Sequence, residues 1–181
     1  SMGAEPVVPP IEGIRNDRVF TLRNIPDTYK IKDFIDGQHP KTAVVVGGGY
    51  IGVEMAENLH AAGLQVTMVE MLDQVIAPLD VDMAADVHRH IREKGVELLL
   101  KTTVKAVRDE GGSLVVTLDT GEVKADMVIL AIGVRPETRI AKEAGLTVSP
   151  RGAIVVTDDM RTSDPAIFAV GDAVQVTDFI T

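Results

Sequence analysis

The stretch of residues 42–70, TAVVVGGGYIGVEMAENLHAAGLQVTMVE, constrains the fold more than any other part of the chain. It opens on the β-branched run Val44-Val45-Val46, passes through glycines, then changes to helical apolar spacing at Ile51, Met55, Leu59 and Ala62. That change of period predicts strand, tight turn and helix. Gly63 stops the helix, and Gln65–Val69 predicts a second strand ending on Glu70.

Within this unit the pattern G-x-G-x-x-G falls on Gly47, Gly49 and Gly52, each with its own physical task. Gly47 permits a turn in which a Cβ would clash. Gly49 lets backbone approach a pyrophosphate, and Gly52, with Ala56 a turn later, lets the helix lie close against the sheet. The helix N-terminus presents unpaired N–H groups and a positive dipole end to phosphates. Glu70 lies twenty-three residues after Gly47, where a carboxylate accepts hydrogen bonds from an adenosine ribose. The alternative is a parallel α/β crossover with a glycine-rich turn and no ligand. An acid at this position repels a ribose 2′-phosphate, and residues 65–77 contain no Arg or Lys to hold one. NADH is therefore favoured over NADPH.

At 181 residues the chain holds one sizeable core, or one domain plus pieces of another. A hydrophobic fraction of 45% and a mean hydropathy of +0.16 indicate a folded globular protein. The apolar runs are too short for a membrane-spanning helix. A formal charge of −9 argues against nucleic acid or anionic membrane surfaces as partners. With no cysteine there is no disulfide framework and no thiol chemistry within these residues.

Taken in order, residues 4–13 carry Pro6, Pro9 and Pro10 and read as an extended connector. Residues 19–22 predict a short strand, and 25–35 a short helix ending at Gly37. Residues 71–79 read as a loop, after which Asp80 caps a helix carrying Ala84, Val87, Ile91 and Lys94 and stopping at Gly95. Asp80, Asp82 and Asp86 read as dipole partners and solvated charge rather than metal ligands. His88 and His90 fall on different helix faces and are given no ligand role. Residues 96–100 predict a third parallel strand; 103–107 and 114–118, with turns at 109–112 and 119–122, predict an antiparallel meander. Residues 127–132 read as a buried strand returning to the parallel sheet. It delivers Gly133 to the same carboxyl-end edge as the first glycine loop. Spacing leaves two roles open for Gly133, approach to the dinucleotide or a turn stiffened by Pro136. The tail predicts strands at 153–157 and 167–170, the second running into Gly171-Asp172-Ala173. Asp172 there either meets a sugar or ribityl hydroxyl or serves as an ordinary N-cap.

Three ordered motifs now carry a family likeness: GGGYIGVEMAENL, then LAIGVRPET, then TSDPAIFAVGDA. Together they resemble the pyridine nucleotide–disulfide oxidoreductases, two-dinucleotide flavoproteins, and within them the coenzyme A-disulfide reductases, NADH oxidases and NADH-dependent persulfide reductases. The resemblance covers nearly the whole chain and implies an α/β fold: a Rossmann-like parallel sheet with an inserted antiparallel β-meander, flanked by partial flavin-domain segments. It implies residues 1–24 as the exit from the flavin domain, 25–150 as the NADH-binding domain and 151–181 as the start of the return.

Carried over residue by residue, the resemblance gives Gly47, Gly48, Gly49 and Ile51 the pyrophosphate, with Gly52 completing the loop, and gives Glu70 the ribose. Tyr50 matches a gating aromatic that covers the flavin and swings aside for nicotinamide; on its own it reads as a loop aromatic packing on its neighbours. Glu54 matches an acid near the nicotinamide carboxamide and flavin; on its own it reads as a solvated first-turn acid. Gly133 matches a second contact to NADH, and Gly171-Asp172 the acid that binds the ribityl chain of FAD. The chain departs from the family in lacking a redox cysteine, the flavin domain's own glycine fingerprint and a candidate general base. The expectation is a segment that binds NADH without turnover, within a full-length, homodimeric, cytoplasmic enzyme whose flavin and dimerisation domains lie elsewhere. A carbonyl-reducing dehydrogenase would need a substrate domain, for which no room follows Ile132. A stand-alone NAD(H) sensor has no use for the Gly-Asp-Ala segment, and a methyl-donor-binding protein fits Glu70 and Gly133 less well. The terminal segments, with Ile167, Phe168 and Val170, are expected to pair with each other or with a second copy to hide apolar surface.

Overall fold

The computed structural model describes residues 2–177; Ser1 and residues 178–181, the last of the expected return segment, lie outside the described residues. The chain forms two compact units, one of residues 7–133 and one of residues 1–6 with 134–181. These divisions fall at 6/7 and 133/134, whereas the sequence placed its functional divisions at 24/25 and 150/151. The first strand, β1 (Ala4–Pro6), belongs to the split unit.

The larger unit is built on a parallel sheet. After β2 (Val19–Thr21) comes α1 (Ile25–Gln38), then β3 (Thr42–Val46), α2 (Tyr50–Ala61), β4 (Gln65–Val69), α3 (Val81–Glu93) and β5 (Glu97–Leu99). An antiparallel meander follows, β6 (Val104–Asp109), β7 (Leu114–Leu118) and β8 (Glu122–Ala125), before β9 (Met127–Leu130) returns to the main sheet. The strand order is β2-β9-β3-β4-β5, and every pairing in it is parallel.

Alternation along the strands divides the core in two. Ala43, Val45, Val66, Met68, Met127 and Ile129 pack on one face with Ile31, Met55, Leu59 and Ile91 of the helices. Val44, Val46, Val69, Val128 and Leu130 pack on the other with Val107, Leu114, Val116 and Leu118 of the meander. Burial on both faces explains why the central strands read as unbroken apolar runs. Each fully buried Val, Leu or Met contributes roughly 1.5–3 kcal/mol, so Val44, Val45, Met68 and Ile129, with no exposed surface, anchor the sheet. At its amino end, Asp126 accepts from Lys41 N, Thr42 N and Thr42 Oγ1 at 2.7, 3.0 and 3.1 Å, tying β9 to β3.

One boundary is corrected. Helix α1 runs through Gly37 to Gln38 and closes on His39, whose φ is +49 and whose N–H donates to the Ile35 carbonyl. A glycine inside a helix costs only about 1 kcal/mol, whereas Pro40 bars the residue before it from helical backbone. The proline, not the glycine, sets the end.

In the split unit, β1 pairs antiparallel with β10 (Val134–Pro136), so part of the expected connector is a strand. Helix α4 (Arg139–Glu143) and β11 (Ile154–Val155) follow; a 3₁₀ turn, Gly171–Ala173, then leads into β12 (Val174–Gln175), parallel to β11. Residues 167–170 do not form the expected strand. Among the described residues their ladder contact is one bridge from Phe168 to Arg161, and it is residues 174–175 that pair with β11. Within the single chain Ile167, Phe168 and Val170 are exposed and Ala169 is buried, although the terminal segments do pair with each other as β1–β10 and β11–β12. Among the described residues no helix is long and apolar enough to cross a membrane.

Candidate dinucleotide-binding site

Strand β3 ends at the carboxyl edge of the sheet and the chain turns at Gly47, with φ +106. A Cβ there would stand 2.4 Å from the Ala131 carbonyl oxygen, so only glycine fits. Gly48 is buried: its N–H donates to Glu70 Oε2 at 2.5 Å and its carbonyl accepts from Ile76 N at 2.7 Å. A Cβ on Gly52 would lie 1.9 Å from the Gly47 carbonyl oxygen, so the first turn of α2 rests on the loop itself.

Gly49 differs from its neighbours. It is the exposed N-cap of α2, makes no side-chain cap, and, its two chain neighbours aside, has no atom within 4 Å of the place a Cβ would occupy. Packing therefore does not account for this glycine. Open space beside it, at an uncapped helix N-terminus, fits an anionic group held by backbone N–H.

Tyr50 and Ile51 are the first residues of α2, 61% and 38% exposed. Tyr50 stands on the first turn of a helix rather than in a loop and belongs to no core cluster. Glu54 is exposed but is the fifth residue of α2, whose first turn holds no acid; the reading as a first-turn dipole partner is corrected. Gly133 follows β9, the parallel neighbour of β3, so both glycines leave the sheet at the same edge. Its φ of +112 demands a turn, yet its side-chain position is open.

Glu70 is only 8% exposed, and both carboxylate oxygens accept from backbone: Oε2 from Gly48 N, and Oε1 from Leu72 N at 2.7 Å. A carboxylate has about four lone-pair sites, so acceptor capacity is left over after these two bonds. The acid thus clamps the loop as well as standing where a ribose is expected, a task the spacing did not reveal.

Gly171 and Asp172 lie in the split unit, both exposed, Gly171 with φ +79. Asp172 sits inside the 3₁₀ turn while Val170 takes the cap position, which removes the N-cap reading.

Sequence reasoning missed His88. Its Nε2 accepts from the buried Val75 N–H at 3.1 Å. Burial first, and the Arg92 charge second, lower its pKa from the ordinary histidine value. The signal was present: His88 lies four residues after Ala84 and three before Ile91, on the buried stripe of α3.

A parallel sheet with crossover helices, its first glycine loop leading into an uncapped helix start, defines an α/β domain of the Rossmann-like kind. The chain belongs to the pyridine nucleotide-disulphide oxidoreductase family, which it matches over residues 1–180. It is 43% identical over 180 residues to the NADH oxidase of Methanocaldococcus jannaschii, covering 99% of this chain and 40% of that one. The reduced CoADR-RHD protein of Bacillus anthracis superposes with a TM-score of 0.93 at 50% identity, over 99% of this chain and 32% of that one. The water-forming NADH oxidase of Lactobacillus brevis, solved bound to NADH, superposes with a TM-score of 0.86 at 35% identity, over 95% of this chain and 38% of that one. The chain spans about 40% of the length of the curated relatives it matches.

Proposed function

We propose that this chain is the NADH-binding segment of a longer, FAD-dependent pyridine nucleotide–disulfide oxidoreductase. In this reading residues 25–150 bind NADH, while residues 1–24 and 151–181 lead from and back to a flavin domain carried on the rest of a homodimeric, cytoplasmic enzyme. The observation that carries it is Gly49, a loop glycine that neither backbone conformation nor packing requires.

The amides at the start of α2 and the backbone of Gly47, Gly48, Gly49 and Ile51 hold the pyrophosphate, and Gly52 lets the helix start close to it. Glu70 fixes the Gly48 N–H and offers its remaining lone pairs to the ribose hydroxyls, disfavouring a 2′-phosphate. Exposed Tyr50 is placed to cover the nicotinamide side, with Glu54 one turn on and Gly133 contributing backbone from the neighbouring strand. Gly171 and Asp172 serve the flavin ribityl chain. When bound, NADH supplies a hydride, which in the full-length enzyme passes by way of FAD to a cysteine-based disulfide, CoA-disulfide, persulfide or oxygen acceptor. The segment itself has no cysteine to receive electrons and is expected to bind without turnover.

The test is calorimetric titration of the chain with NADH, in the parent and in Gly49→Ala. Saturable binding by the parent that weakens roughly tenfold in the variant supports the reading. Equal binding by both would place the dinucleotide elsewhere.

A further inference from the structure

The glycine loop is held by a side chain that belongs to none of the sequence motifs. Residues 71–79 join β4 to α3 as a strap across the loop. Val75, at its middle, has no exposed surface, and its Cγ1 lies 2.8 Å from where a Cβ on Gly48 would stand. Ile76 follows with φ +48, a left-handed backbone that a β-branched residue resists. The strap therefore needs bonds to keep it in place, and two are central. The Ile76 N–H donates to the Gly48 carbonyl at 2.7 Å, and the Val75 N–H donates to His88 Nε2 at 3.1 Å.

The consequence for the loop follows from peptide geometry. In a planar trans peptide the C=O and the next N–H point in opposite directions. With the Gly48 carbonyl fixed on Ile76, the Gly49 N–H is aimed away from the strap, and with the Gly48 N–H fixed on Glu70 the peptide before it is set as well. The orientation of the loop amides thus depends on where the strap sits, and the strap depends on a ring nitrogen of α3.

We infer that His88 is a positioning residue for dinucleotide binding: by accepting the Val75 N–H it holds Val75 and the strained Ile76 against Gly48 and so presets the amides of the loop. This rests on the reading of the loop as the NADH site. His88 acts through the strap, by its bond to the Val75 N–H. The bond requires a neutral ring protonated on Nδ1, a state favoured by the partial burial of the ring. Without the acceptor, the buried Val75 N–H is unpaired and the competent loop is populated for a smaller fraction of the time, which weakens apparent affinity by that fraction.

The experiment compares the 181-residue chain with its His88→Ala, His88→Gln and His88→Asn variants, by NAD⁺ titration calorimetry and by amide hydrogen exchange without ligand. Gln places an acceptor oxygen near the position of Nε2, and Asn does not reach it. In His88→Ala and His88→Asn, the Val75 and Ile76 amides should exchange roughly tenfold faster while those of Val44 and Val45 are unchanged. The NAD⁺ dissociation constant should rise about three- to tenfold, and His88→Gln should restore both. If the parent binds NAD⁺ and His88→Ala binds it within about twofold as well, the inference is overturned. It is also overturned if exchange rises equally in β3 and β4, or if Gln fails to restore what Ala loses. A parent chain that does not bind NAD⁺ overturns the site reading, and this inference with it.

Discussion

The Glu70 carboxylate accepts the Gly48 N–H at 2.5 Å, so the acid that ends the second strand of the nucleotide fold is bonded to the loop that follows the first. This makes the shape of the loop depend on one side chain, the same one proposed to meet the ribose. Glu70→Ala leaves the buried Gly48 N–H without its partner and should cost about 1–3 kcal/mol of stability before any ligand is added. Chemical denaturation with a midpoint as high in Glu70→Ala as in the parent would contradict the clamp. Glu70→Gln keeps one acceptor oxygen and should fall between the two.

Gly52 is crowded and Gly49 is open, so stability and binding measurements can test whether the first glycine serves packing and the second the ligand. Gly52→Ala drives a methyl to 1.9 Å from the Gly47 carbonyl oxygen and should lose about 3 kcal/mol or more. Gly49→Ala meets no atom and should lose at most about 1 kcal/mol, the difference between glycine and alanine at an N-cap. Its NADH affinity should nonetheless fall roughly tenfold, because the methyl occupies the approach to the helix amides. A pattern with the two roles exchanged would refute this division.

At the opposite end of the sheet Asp126 contributes to acid sensitivity. Burial pushes its pKa up, but the bonds from Lys41 N, Thr42 N and Thr42 Oγ1 outweigh burial and leave it below the ordinary aspartate value. A native pKa below the unfolded one means stability that is complete above the unfolded value and is lost as pH falls through the native one. Asp126→Asn should therefore remove roughly 1–2 kcal/mol at neutral pH and flatten the decline of melting temperature on the acid side. An acid limb as steep in the variant as in the parent would show that other carboxylates control it.

Tyr50 is well exposed and packs into neither core cluster. Tyr50→Ala should leave stability within about 0.5 kcal/mol, while in the full-length enzyme it should change the rate of flavin reduction by NADH. A large stability loss in thermal melts would return Tyr50 to a packing role.

Much of this was legible in the sequence because it depends on local period and glycine. Residues 42–70 announce β3, the loop, α2 and β4 through one change of apolar spacing, and the turns at Gly111, Gly112 and Gly121 announce the meander. What stayed hidden depends on partners distant in the chain. An apolar run at 167–170 reaches only a single bridge, Phe168 to Arg161, while residues 174–175 pair with β11, a choice of partner that local composition does not encode. The clamp from Glu70 to Gly48 and the bond from Val75 to His88 join residues 22 and 13 apart through side-chain acceptors, which no periodicity encodes. Only the position of His88 on the buried stripe of α3 hinted at its use.

The most direct test of the central claim is calorimetric titration of the 181-residue chain with NADH and, separately, with NADPH. The account predicts saturable NADH binding and NADPH binding at least about tenfold weaker, with no consumption of either nucleotide. NADPH binding as tight as NADH, or no binding of NADH, would contradict it.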